Sequence, residues 1–252
     1  MNLFHREFGE GPPLIILHGL MGSSDNWITL GKQFSEHFHV FLIDQRNHGQ
    51  SFHSDEFNYQ VLTEDLANFV EQQSFDKVSL IGHSMGGKVV MLYALNYPGK
   101  VTKLLVADMA PKNYQVNYDL IFSGLNAVDL VNLKSRSEAE KIVSEYIDDF
   151  ETRQFLLKNL MRDNKSYRWK ANLPVIQENI QKMGFWADTN ARFDGPTLFI
   201  SGMLSGYVKD GDGEGIKQLF PDVRMISLES GHWPHAEKPI EFKEAAFDFL
   251  KG

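Results

Sequence analysis

Six short apolar runs constrain this chain more than any other feature: LIIL at 14–17, VFLI at 40–43, VSLI at 78–81, LLVA at 104–107, TLFI at 197–200 and RMISL at 224–228. Each has the length of a strand and is too short for a helix. Each is rich in β-branched residues or leucine, and most end at a glycine or a polar residue. Strands that are apolar throughout belong inside a sheet covered on both faces, because a wet face would impose alternation. Helix-like segments such as 59–73 and 88–97 lie between them. Strand and helix therefore alternate, and the pattern predicts an α/β fold with a mostly parallel sheet.

At 252 residues and 42% apolar, the chain can fill one large core, or one core with an insertion. The formal net charge of -8 offers no positive field to gather nucleic acid or anionic lipid, so neither partner is expected. Cysteine is absent, which removes disulfides, thiolate metal sites and thiol nucleophiles together. The start, MNLFHREFGEG, places His, Arg and two Glu where a signal peptide needs an apolar run, and no stretch approaches the roughly eighteen apolar residues of a membrane span. The expectation is a cytoplasmic protein without a membrane span.

The alternation stops between about 111 and 194, where a long run reads as helices. Ser137 with Glu140 has the spacing of a capping box, and Ile142, Tyr146, Ile147 and Phe150 follow at helical spacing. We expect a core of 1–110 and 195–252 and a helical cap of 111–194. The insertion is rich in aromatics, Trp186 among them, and over the carboxyl ends of the strands it would roof the ligand crevice of such a sheet.

The stretch LIGHSMGGKVV, 80–90, admits two parses. From Gly82 to Lys88 it reads as a phosphate loop, but Val89 follows where the Mg²⁺-binding hydroxyl should stand. From Gly82 to Gly86 it reads as G-x-S-x-G, a strained turn carrying a nucleophilic serine. Two further stretches favour the serine. HGLMG, after the first run, can turn a backbone N–H into the crevice, as oxyanion stabilisation requires. GHWPH, after the last run, sets an imidazole at the same sheet edge. Ser84 is thus the candidate nucleophile, and its plain structural alternative is a helix N-cap. His232 is the candidate base, since an imidazole transfers protons in both directions near neutral pH.

On HGLMGSSDNW, DQRNHGQS, GHSMGGK, ADMAP and GHWPHAEKP the chain resembles the α/β-hydrolase superfamily, and within it the small bacterial YbfF-type esterases. The resemblance implies hydrolysis of carboxylic esters, a class that extends to coenzyme A thioesters, with a small-molecule acyl substrate and no cofactor. The oxyanion hole would be the backbone N–H of Met85 and Leu20. Leu20, Met21, Trp186 and Trp233 are the candidate substrate contacts. The commoner superfamily pattern puts an acid shortly after 197–200, yet GMLSGYV there has no carboxylate. Asp108, ending the preceding strand as in some branches, is the preferred acid; Asp210 is the alternative.

Two remaining features take bland readings. Asp210, Asp212 and Glu214 alternate like a calcium loop, but the closing position falls on Pro221, so a solvated turn is expected and no metal. Lys158, Arg162, Lys165, Arg168 and Lys170 read as a solvated helix face rather than a phosphate contact.

Overall fold

A computed structural model describes residues 2–164, 166–187 and 189–252. The strands are β1 (His5–Phe8), β2 (Pro13–Leu17), β3 (His39–Ile43), β4 (Val78–His83), β5 (Val101–Ala107), β6 (Leu160–Asp163), β7 (Ser166–Trp169), β8 (Thr197–Gly202) and β9 (Val223–Leu228). The helices are α1 (Ile28–Phe34), α2 (Tyr59–Gln72), α3 (Met85–Asn96), α4 (Asp119–Asn126), α5 (Arg136–Val143), α6 (Phe150–Leu157), α7 (Leu173–Asn179), α8 (Gly213–Leu219), α9 (Pro234–Glu237) and α10 (Pro239–Lys251). Seven strands form one sheet in the order β1-β3-β2-β4-β5-β8-β9. Only β1 runs antiparallel to its neighbour.

All six apolar runs are strands of this sheet, and their alternate residues sort onto its two faces. Ile15, Leu17, Phe41, Leu104, Val106 and Phe199 pack into one core layer. Leu14, Ile16, Leu42, Leu105, Leu198 and Ile200 pack into the other, beneath α1 and Phe242 and Leu250 of α10. Each such side chain, fully buried, contributes about 1.5–3 kcal/mol. A charge at Leu105 would lie between layers with no partner and would break this packing.

The segment between β5 and β8 departs from the all-helical expectation in two places. β6 and β7 form an antiparallel hairpin with Leu160 opposite Trp169, turned at Asn164, whose φ of 54° suits an asparagine. The helix cap also lies in a different frame. Ser135, not Ser137, caps α5, its hydroxyl accepting the Glu138 N–H while the Glu138 carboxylate accepts the Lys134 N–H. α5 stops at Val143, so Tyr146 and Ile147 follow it and Phe150 opens α6. Among the described residues no helix is long and apolar enough to cross a membrane.

Candidate active site

β4 passes into α3 through Ser84, whose φ of 51° and ψ of -116° lie where a side-chain-bearing residue is strained by about 1–3 kcal/mol. Its neighbours hold it there. The Ser84 N–H donates to Ala107 O at 3.1 Å, and Ser84 O accepts the Lys88 N–H at 3.1 Å. The flanking glycines are steric necessities: a Cβ on Gly82 would strike Gly86 O, and one on Gly86 would lie 2.6 Å from the carbonyl oxygens of Leu17 and His18. Ser84 does not cap α3 with its side chain. Its Oγ lies 2.9 Å from His232 Nε2 instead.

His232 follows β9, and its Nδ1 lies 2.7 Å from Asp108 Oδ2. Asp108 ends β5 at a φ of 47° and is 1% exposed. Its other oxygen accepts the Gly202 N–H at 3.0 Å, and the Ser205 hydroxyl donates to Oδ2 at 2.5 Å. Asp210 is exposed, at the start of a short 3₁₀ turn, and is not brought to His232. Asp212 is engaged by Lys112 Nζ and by the Lys209 N–H, and a Cβ at Gly206, Gly211, Gly213 or Gly215 would meet nothing within 4 Å. Among the described residues no group of three or more His, Asp or Glu could hold a metal ion.

Three more groups fix His232. Tyr207 stacks on its ring with centroids 3.8 Å apart and planes 15° apart. Glu237 accepts the N–H groups on either side of it, those of Gly231 at 2.6 Å and Trp233 at 3.1 Å. His83 Nε2–H donates to the His232 carbonyl at 2.7 Å. Burial pushes His83 well below the ordinary imidazole range, His18 down to about 4, and His48 and His235 to about 3. For two of these rings the bonds also require the neutral form: His18 Nδ1–H donates to Gly19 O while its Nε2 accepts the Gln45 N–H, and His48 Nδ1–H donates to Arg46 O while its Nε2 accepts the Met21 N–H.

Two cavities meet at Ser84. The inner one, about 320 Å³, is lined by Leu20, Met85, Tyr118, Ile180 and Met183 among others. The outer one, about 240 Å³, adds Met21, Phe155, His232 and Trp233. Among the described residues the N–H groups of Leu20 and Met85 have no acceptor, whereas His48 Nε2 takes the Met21 N–H at 3.1 Å. Trp186 is not among the residues lining either cavity; it packs against the core, with its backbone N–H on Asn113 Oδ1 at 2.6 Å. The basic stretch is not a helix face either. Lys158 follows α6, Arg162 and Arg168 lie on the hairpin, Lys170 pairs with Asp25 at 2.9 Å, and Lys165 lies outside the described residues.

A family profile described as alpha/beta hydrolase fold matches residues 12–239. The chain belongs to the α/β-hydrolase family. This hydrolase is 35% identical over 253 residues, 96% of its length and 80% of the relative's, to the sn-1-specific diacylglycerol lipase ABHD11 of Danio rerio. It is 34% identical over 229 residues to Esterase YbfF of Escherichia coli (strain K12), covering 90% of this chain and 88% of that one. A solved structure titled Marine microorganism esterase superposes with a TM-score of 0.95 at 42% identity, over 98% of this chain and 99% of that one.

Several residues of the hydrolase site carried signals that motif reading passed over. Glu237 stands inside GHWPHAEKP and His48 inside DQRNHGQS, so both were in view as motif letters without a role. Ser205 and Tyr207 lie in the segment searched for a carboxylate, where a hydroxyl and a ring gave no signal. Tyr59 and Tyr118 come from distant elements, and only the folded chain brings them to Ser84.

Proposed function

We propose that Ser84, His232 and Asp108 are the nucleophile, base and acid of a serine esterase that acts through an acyl-Ser84 intermediate. The protein is a carboxylic ester hydrolase, in keeping with the names of its relatives, and the triad reading supplies the route. One observation carries it: the unbroken chain from Ser84 Oγ to His232 Nε2 at 2.9 Å and from His232 Nδ1 to Asp108 Oδ2 at 2.7 Å.

The Ser84 hydroxyl gives its proton to His232 Nε2 as Oγ attacks the acyl carbon. Asp108 accepts from Nδ1–H, fixing the tautomer and stabilising the imidazolium. The acyl oxygen, now negative, takes the free N–H groups of Leu20 and Met85, each such donor contributing about 2.7–4 kcal/mol to the transition state. His232 then protonates the leaving oxygen, and water repeats the sequence to release the acid and restore Ser84. Met85 lines the inner cavity, His232 the outer one, and Leu20 both. The acyl group therefore occupies the inner cavity, and the leaving group lies outward, toward Trp233.

Residues 111–194 act as a cap on a core of 1–110 and 195–252, supported by Tyr118, Ile180 and Met183 facing Ser84 across the inner cavity. The same route cleaves acyl thioesters, coenzyme A thioesters included, since no step depends on the leaving atom being oxygen. The route needs no cofactor.

The test is a p-nitrophenyl ester series from acetyl to palmitoyl beside a serine-directed phosphonate. Ser84→Ala is expected to lower turnover by about 10⁴ to 10⁶-fold with little change in the thermal transition. Mass spectrometry is expected to find the phosphonyl group on the GHSMGGK peptide of the parent. Retained turnover in Ser84→Ala, or a label elsewhere, sinks the assignment. A β-diketone in the panel separates carbon–carbon hydrolysis from ester hydrolysis, and a protein that only binds ligands neither turns over nor labels.

A further inference from the structure

Lys88 made GHSMGGK resemble a phosphate loop, and the esterase route has no use for it. The side chain is fully buried. Its Nζ donates to Gly184 O at 3.1 Å and Phe185 O at 2.9 Å and lies 5.1 Å and 4.9 Å from the ring centroids of Tyr59 and Tyr114. Burial with no carboxylate beside it pushes the ammonium down to about 7. A buried ammonium is costly unless its donors are used, and an aliphatic residue would fill the same place on α3 without that cost.

What the donors hold is one wall of the inner cavity. Three successive carbonyls are captured: Met183 O by the Tyr59 hydroxyl at 2.9 Å, Gly184 O by Lys88 and by the Tyr114 N–H at 2.8 Å, and Phe185 O by Lys88. The backbone passes so close that a Cβ on Gly184 would lie 2.5 Å from Tyr114 O. Ile180, just before this clamp, and Met183, its first residue, line the cavity beside Ser84. The clamp is thus anchored on α3, one turn from the Met85 N–H.

We propose that Lys88 is a specificity-determining positioning residue, pinning the Met183–Phe185 backbone to α3 and so setting which acyl groups the inner cavity accepts. The inference rests on the reading of that cavity as the acyl pocket. The experiment compares kcat and KM across the acyl series for the parent, Lys88→Met and Tyr59→Phe, the last removing only the hydroxyl bonded to Met183 O. Rates are normalised to phosphonate-reactive sites, which takes unfolded protein out of the comparison. For Lys88→Met the KM of octanoyl and decanoyl esters is expected to change about tenfold while acetyl ester kinetics stay within about threefold. Tyr59→Phe is expected to change the same long-chain KM values by about twofold to threefold. Parallel changes at every acyl length, or none in either variant, overturn the assignment. If Lys88→Met yields no folded protein, Tyr59→Phe decides alone, and a chain-length profile equal to the parent's overturns it. A parent that fails to label at Ser84 overturns the esterase reading and this one with it, whereas a labelled parent with unshifted variants overturns Lys88 alone.

Discussion

β5 and β8 lie side by side, run parallel and end at the same edge, yet the residues that follow them do different work. β5 runs directly into Asp108, whose N–H is fixed on Ile200 O at 2.8 Å and whose carboxylate meets His232. The end of β8 and the segment after it, where the commoner superfamily acid would stand, instead serve that carboxylate with the Gly202 N–H and the Ser205 hydroxyl, and serve His232 with the face of Tyr207. That segment's own carboxylate, Asp210, is out in solvent. A group at a strand end inherits the rigidity of the ladder, whereas one further along a glycine-containing loop must find its own supports. One edge therefore carries the charge, and its neighbour holds that charge in place.

Asp108→Asn attacks the contrast at its strongest point. An amide presents the wrong partner to His232 Nδ1, so kcat is expected to fall about 10⁴-fold with the fold intact. Measured turnover within tenfold of the parent would break the assignment of the acid to β5. Ser205→Ala sharpens the supporting role of the other edge. Losing a hydrogen bond to a carboxylate typically costs about 1.5–3 kcal/mol, so a loss of about 10- to 100-fold in kcat is expected, with KM nearly constant. Unchanged kcat would show that Gly202 alone is enough to hold Asp108. Asp210→Asn carries the smallest expectation, activity within about threefold, because its side chain meets solvent. A collapse of activity there, with Asp108→Asn mild, would reverse the comparison.

The sheet was legible because its inner strands β2, β3, β4, β5 and β8 are buried on both faces, so that a run such as LIIL or TLFI announces itself by composition alone. β1 was not, since HREF is an edge strand with polar residues and carries no apolar run. The β6–β7 hairpin was hidden by its charges: Arg162 and Arg168 face outward on strands of four residues, too short to display a period of two. The cap of α5 was misplaced by two residues because S-x-x-E occurs twice in overlapping frames, at 135 and 137, and the choice depends on which serine has extended backbone. At the site, Ser84, Asp108 and His232 could be singled out as candidates because each lies shortly beyond a strand-like run, at one edge of the sheet. Tyr207, Lys88 and Glu237 could not be given roles, since each acts through a contact that only the closed fold creates.

The open glycines at 206, 211, 213 and 215 mark where the supporting edge ceases to be packed. On the proposed triad, the stretch beyond Tyr207 gives no hydrogen bond to Asp108 or His232 among the described residues, so insertions, deletions and changes of charge there are expected to leave the proposed relay in place. A laboratory library confined to 209–215 is therefore expected to vary the surface of the enzyme while turnover persists.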